Sequence, residues 1–144
     1  MAEQRESLIA SEQSNILEAV YDLLAEYPNI NLCFEDNDVD KTSVGLYSSD
    51  GAVYLSKNIL GGFKGLVPFM VTYQSCPTKD TKKLAMVKYM NDLSDWLVTQ
   101  SYPALSDNRE ILKIEQMEVP CIVRKGDNGA ITYGMLFELT YRKE

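Results

Sequence analysis

The stretch GGFKGLVPFMVTYQSCPTKDTKKLAMVKYMNDLSDWL, Gly61 to Leu97, moves from a glycine-rich loop through an apolar run and a polar break into a long amphipathic pattern. In LVPFMVTYQS, Val67, Phe69, Val71 and Tyr73 share one face by the two-residue period, with Met70 on the other, which predicts a strand. Pro68 lacks an amide donor, so that strand is expected to begin there or to lie at a sheet edge. After Pro77 the period lengthens. Leu84, Val87, Met90, Leu93 and Leu97 recur at helical steps, with Thr78 or Asp80 as the cap. Lys79, Lys82, Lys83 and Lys88 fall mostly elsewhere on the circumference and read as a solvated face.

Upstream, SEQSNILEAVYDLLAEYPN places Ile16, Leu17, Val20, Leu23, Leu24 and Tyr27 on one helical stripe. Ser11 or Ser14 is the expected cap, and Pro28 stops the helix because the residue before proline is pushed out of helical geometry. Short β-type runs follow at Ile30–Phe34, Val44–Ser48 and Val53–Ser56, with Asp50-Gly51 read as a hairpin signal. ILGG then forms a loop.

Downstream, EILKIEQMEVPCIVRKGDNGAITYGMLFELTYRKE reads as two or three antiparallel strands. Its apolar phase is even at Leu112 and Ile114 and odd at Met117 and Val119, which predicts a bulge near Glu115-Gln116. Asp127-Asn128-Gly129 closes a hairpin with residues that tolerate positive φ. Ile122 then shares the core face with Ile131, Tyr133, Met135, Phe137, Leu139 and Tyr141. The fold class is α+β: two helices packed on one face of a mostly antiparallel, mixed sheet with a C-terminal β-hairpin. A single domain is expected over residues 1–144, with residues 1–10 as a mobile N-terminal extension.

At 144 residues the chain is long enough to bury about two-thirds of its unfolded surface. Its net charge of -7 argues against a protein that grips DNA along its phosphates, which needs a concentrated basic face. The apolar run Leu66–Tyr73 is far short of the roughly 20 residues of a membrane helix. MAEQRESLIASEQS is acidic and has no signal core, which predicts a cytoplasmic chain. Cys33, Cys76 and Cys121 are odd in number and widely separated, and read as reduced thiols.

The chain has no histidine. That removes imidazole acid–base chemistry, Ser–His and Cys–His nucleophile pairs and histidine metal sites together. Carboxylates, lysine and tyrosine remain, in no recognisable constellation; Glu115, Glu118 and Glu138 are the ones a carboxylate mechanism would have to use. DNDVDKTSVGLY, from Asp36, opens like a calcium loop but has Lys41 where glycine is needed and Tyr47 where a bidentate glutamate is needed. GGFKG leads into a strand and not a helix N-terminus, so it lacks the amides and dipole of a phosphate cradle. No catalytic residue, metal ligand or cofactor is therefore expected, and the chain does not read as an enzyme.

Ile59, Leu60, Phe63 and Leu66 are apolar residues in a segment whose composition marks it as a loop. Loops lie at the surface, and apolar groups clustered there mark contacts between proteins, so these four are candidates for a subunit or partner interface. The competing expectation is that they fold back under the domain's own helix.

A helix, short strands, a strand carrying PFMVTYQS, a polar break, a helix ending LSDWL and a terminal hairpin follow in that order. From about Ile16 to Tyr141 this order resembles the tail terminator (tail completion, tail-to-head joining) proteins of long-tailed phages, including some labelled minor capsid proteins. Val67 to Leu97 is the most similar piece. The resemblance implies a virion protein, assembled in the bacterial host cytoplasm, that closes into a homo-oligomeric, hexameric ring on the tail tube. Such a ring stops tube growth and meets the head-side connector protein, and DNA passes through it without specific binding. It implies no membrane contact. An acidic wall suits a DNA conduit, because a wall that attracted phosphates would hold the DNA. Glu35, Asp36, Asp38 and Asp40 are the candidates for lumen or rim charge. The alternative is a small α+β ligand-binding or regulatory module of non-viral function, since two helices on an antiparallel sheet form a widely reused scaffold.

Overall fold

A computed structural model describes residues 6–28, 30–34, 42–75, 80–100, 102, 105, 108–126 and 129–144. Its elements are α1 (Ala10–Leu24), β1 (Leu32–Phe34), β2 (Ser43–Ser48), β3 (Val53–Lys57), β4 (Phe63–Ser75), α2 (Asp80–Thr99), β5 (Arg109–Lys125) and β6 (Ile131–Lys143). The strands form one mixed sheet in the order β1-β2-β4-β6-β5, with β3 also paired to β4. β1 runs parallel to β2 and the other pairings are antiparallel. The α+β class is thus the observed one.

β4 is the spine of the sheet. It pairs with β6 over its whole length, from Phe63↔Lys143 to Ser75↔Ile131. Its other edge is shared end to end by two strands: β2 covers Phe69–Gln74 and β3 covers Phe63–Leu66. Asp50-Gly51 therefore does not join a hairpin, because the strands it separates are collinear neighbours of β4. Pro68 is likewise neither at the start of a strand nor in an edge strand. It sits in the gap between Ser48↔Phe69 and Val53↔Leu66, where the ladder on that edge is broken and a residue without an amide donor is tolerated.

α1 begins earlier than its serines suggest. Ile9, in extended geometry (φ -64°, ψ 149°), occupies the N-cap without a side-chain bond, and Ser11 and Ser14 are exposed inside the helix. The helix ends at Leu24, and a turn in which the Tyr27 amide donates to the Leu24 carbonyl at 3.0 Å leads to Pro28. Residues 6–8, within the stretch expected to be an extension, pair with β3. The Leu8 amide donates to Ala52 O at 3.0 Å and the Tyr54 amide to Glu6 O at 2.9 Å, and Leu8 is buried.

The core lies where the helices meet the odd-numbered face of β4 and β6. Ile16, Val20 and Leu24 of α1 and Met86, Met90, Leu93 and Leu97 of α2 join Val67, Phe69, Val71, Met135, Phe137 and Leu139 in one buried cluster. Leu84, expected in the α2 stripe, is 70% exposed, and Met86 takes the buried place at that end of the helix. Tyr27 ties the two helices together through edge-on ring contacts to Tyr89 and Trp96, with centroids 5.8 and 5.2 Å apart.

On β5 the register shifts between Gln116 and Glu118, so Met117 is the bulged residue, just beyond the expected Glu115-Gln116, and further shifts occur along the strand. Gln116 turns beneath α2, where Ser94 Oγ donates to Oε1 at 2.8 Å. Ile122 does oppose Tyr133, but it is 46% exposed because it lies on the edge strand, whereas Ile131 and Tyr133 on the interior strand β6 are buried. Gly129 takes φ 87° in the connecting turn; Asp127 and Asn128 lie outside the described residues.

Gly65 is needed for a close approach. A Cβ there would stand 2.5 Å from Cε1 of the Tyr141 ring, which is fully buried. Gly65→Ala is expected to cost about 1–3 kcal/mol by overpacking, read as an earlier midpoint in urea unfolding.

Candidate assembly surfaces

Among the described residues, three of the apolar features that reach the surface are candidate contacts. The first is the tip joining β3 to β4, Asn58–Gly62. Its backbone closes with the Asn58 amide donating to Gly62 O at 2.9 Å and the Gly61 amide to Asn58 O at 3.2 Å. The Asn58 side chain completes the turn, its Oδ1 accepting from the Leu60 and Gly62 amides, both at 3.0 Å. Gly61 takes φ 96°, a region that other residues rarely adopt. The tip is thus held in shape while Ile59 is 99% and Leu60 96% exposed.

The four apolar residues of this segment therefore divide. Ile59 and Leu60 project into solvent. Phe63 is half-buried, edge-on to Tyr54 at 5.0 Å and to Tyr141 at 5.8 Å, and anchors the hairpin to the sheet. Leu66 is half-buried inside β4, opposite Val53 and Thr140. The base of the tip is mostly cationic: Lys57, Lys64, Arg142 and Lys143, with Glu144, line a recess of about 430 Å³ there. Lys57 bridges Glu6 at 2.6 Å and lies 4.2 Å over the Tyr54 ring, and Arg142 bridges Glu110 at 2.6 Å.

The second feature is a groove of about 360 Å³ between α1 and β1, lined by Ser14, Leu17, Glu18, Tyr21 and Phe34. Tyr21 and Phe34 meet edge-on at 6.3 Å, and Phe34 is 48% exposed. Nothing in the local sequence marks this groove, since Leu17 belongs to the core stripe and Phe34 to a short strand. The acidic candidates Glu35, Asp36, Asp38 and Asp40 follow Phe34 in sequence and lie outside the described residues. The third is the far half of β5, at the sheet edge, where Met117, Val119, Ile122 and Val123 are 46–73% exposed.

The chemistry of the buried polar groups is structural. Glu12 sits on the core side of α1 and accepts from Arg109 Nε at 2.9 Å and from Tyr141 Oη at 2.9 Å on Oε1, and from Arg109 Nη2 on Oε2. The guanidinium holds the Glu12 carboxyl below its usual range against the opposing effect of burial. Burial, joined by the Glu12 carboxylate, pushes the Tyr141 phenol far up. Burial also pushes Tyr89 up to about 12. None of these groups is poised to exchange a proton near neutral pH. Glu115 and Glu138 face each other across β5 and β6, and Lys113 bridges Glu115 at 2.8 Å. Among the described residues no three His, Cys, Asp or Glu side chains gather as a metal site, and no helix is long and apolar enough to cross a membrane.

Across 90% of its length the chain superposes, at a TM-score of 0.59 and 12% identity, on 93% of a chain from the solved virion of a native gene transfer agent (GTA) particle. The two chains share a fold. No family model matches this sequence, and no curated protein does. At 12% identity the likeness lies in the arrangement of helices and strands and not in any particular side chain.

Proposed function

We propose that this protein is a structural subunit of a phage-like virion that closes into a ring on the tail tube, ends tube polymerisation and joins tail to head. The observation that carries the reading is the fold shared over nearly the whole of both chains with a component of a gene transfer agent virion. The fully exposed Ile59–Leu60 tip supports it, because a monomer gains nothing by displaying two large aliphatic groups on a rigid turn, whereas an assembly covers them. With a net charge of -7, the ring gives DNA little to bind as it passes through. Glu35, Asp36, Asp38 and Asp40 are assigned to its lumen or rim.

Adding the purified chain to polymerising tail-tube protein tests this directly. Tubes are expected to stop lengthening as the chain is added, with the chain bound at one end. Unchanged tube lengths at saturating protein would refute the reading.

A further inference from the structure

We propose that the β3–β4 tip of one protomer seats Ile59 and Leu60 in the α1–β1 groove of a second copy of this chain. This rests on the ring reading above and names the contact that builds the ring.

The two surfaces match in chemistry. The tip offers two adjacent aliphatic side chains, 99% and 96% exposed, on a turn already fixed by Asn58, so little further ordering is needed on docking. The groove offers Leu17, Tyr21 and Phe34 around a volume of about 360 Å³, with room for branched aliphatic groups and, among the described residues, a lining surface that is mostly apolar. Their charges are opposite. Lys64 and Lys143 lie at the base of the tip, beside Lys57, which is bridged to Glu6. Glu18 sits at the groove, Asp22 and Glu26 are exposed along the same helix and the turn after it, and α1, ASEQSNILEAVYDLL, contains no lysine or arginine. Such pairing steers the encounter and sets the register, while the apolar contact supplies most of the affinity.

A protomer cannot make this contact with itself. The tip leaves β4 at Phe63, whereas Phe34 of the groove aligns through Leu46 with Val71. The separation is roughly 26 Å along β4 and about 10 Å across the sheet. Because tip and groove are different surfaces, each copy presents a tip to one neighbour and a groove to the other. Head-to-tail contacts of this kind close into rings when the rotation allows.

The test uses the full chain in the assembly it forms, alone or on tail-tube protein. Leu60→Asp should leave the circular-dichroism spectrum of the folded chain unchanged, since the residue is exposed, and should weaken self-association roughly 30-fold or more. Glu18→Lys should weaken it less, and combining it with Lys64→Glu should restore assembly. Mixing Leu60→Cys protein with Phe34→Cys protein, both also carrying Cys33→Ser, Cys76→Ser and Cys121→Ser, should give a disulfide-linked dimer absent from either alone. If Leu60→Asp rings persist, the inference fails; if those rings no longer bind tubes, the tip meets the tube and the ring reading survives. A wild-type chain that stays monomeric in both settings defeats the ring reading and this contact together.

Discussion

Glu12→Ala is expected to remove about 3–5 kcal/mol of folding stability, a large share of the roughly 5–15 kcal/mol typical of a domain. Glu12 accepts from both Arg109 and Tyr141, and all three residues are at most 8% exposed. Removing the carboxylate takes from the buried Arg109 guanidinium the acceptor of two of its hydrogen bonds and from Tyr141 the acceptor of its hydroxyl, a penalty much larger than the net value of the intact pair. The network joins the first turn of α1 to the start of β5 and the end of β6, so its loss loosens the helix from the sheet. Urea unfolding followed through the fluorescence of Trp96 reads the effect, since that ring packs on Tyr27 just after α1. Glu12→Leu combined with Arg109→Met should recover most of the loss, because the buried pair is then replaced as a unit by apolar groups. The same carboxyl makes stability depend on pH. Its folded value is depressed, so its contribution is complete above the unfolded value of about 4.3 and fades as pH falls through the folded value. The Glu12→Ala variant should therefore lose less stability than the wild type on going from pH 7 to acid.

Phe137→Ala should cost about as much, 3–5 kcal/mol on the scale of large-to-small core changes. Phe137 is fully buried and stacks on its cross-strand partner Phe69, with centroids 5.4 Å apart and planes 12° from parallel. Phe69 is immediately preceded by Pro68, at the β2–β3 gap, so this pair braces β4 where one of its edges is unsupported. Little can collapse to fill the void, because α2 and the central strands close around it. The measurement is again a urea midpoint, and a loss below about 1 kcal/mol would show that the site repacks.

These two sites differ in how well they could be read from sequence. Phe69 and Phe137 declare themselves by strand alternation, and so does most of the core face of β4 and β6. Glu12 does not, although it lies one turn before Ile16 on the same stripe and so carried a faint signal. Arg109 and Tyr141 are near the opposite end of the chain, and no local pattern links them to it. Topology escaped for a similar reason. Asp50-Gly51 has the chemistry of a hairpin turn, but local chemistry says only that the chain bends, not which strand it will pair with afterwards. The pairing is decided by β4, long enough to hold two collinear neighbours on one edge. Pro68 misled because the rule against proline in a central strand assumes an intact ladder on both edges.

The candidate surfaces follow the same logic. Ile59 and Leu60 stand out in sequence because aliphatic residues beside two glycines are out of place in a turn. The groove does not, because Leu17 and Tyr21 come from α1 and Phe34 from β1, and only the packing of α1 beside β1 brings them together. Assembly surfaces made of one continuous segment are legible in a sequence; those made by juxtaposition are not.

Cryo-electron microscopy of tail tubes incubated with the purified chain tests the virion reading most directly. A closed ring of 16.3 kDa subunits at one tube end, with an open channel and each Ile59–Leu60 tip covered by the next subunit, is the predicted image. Bare tube ends beside dispersed single chains would contradict it.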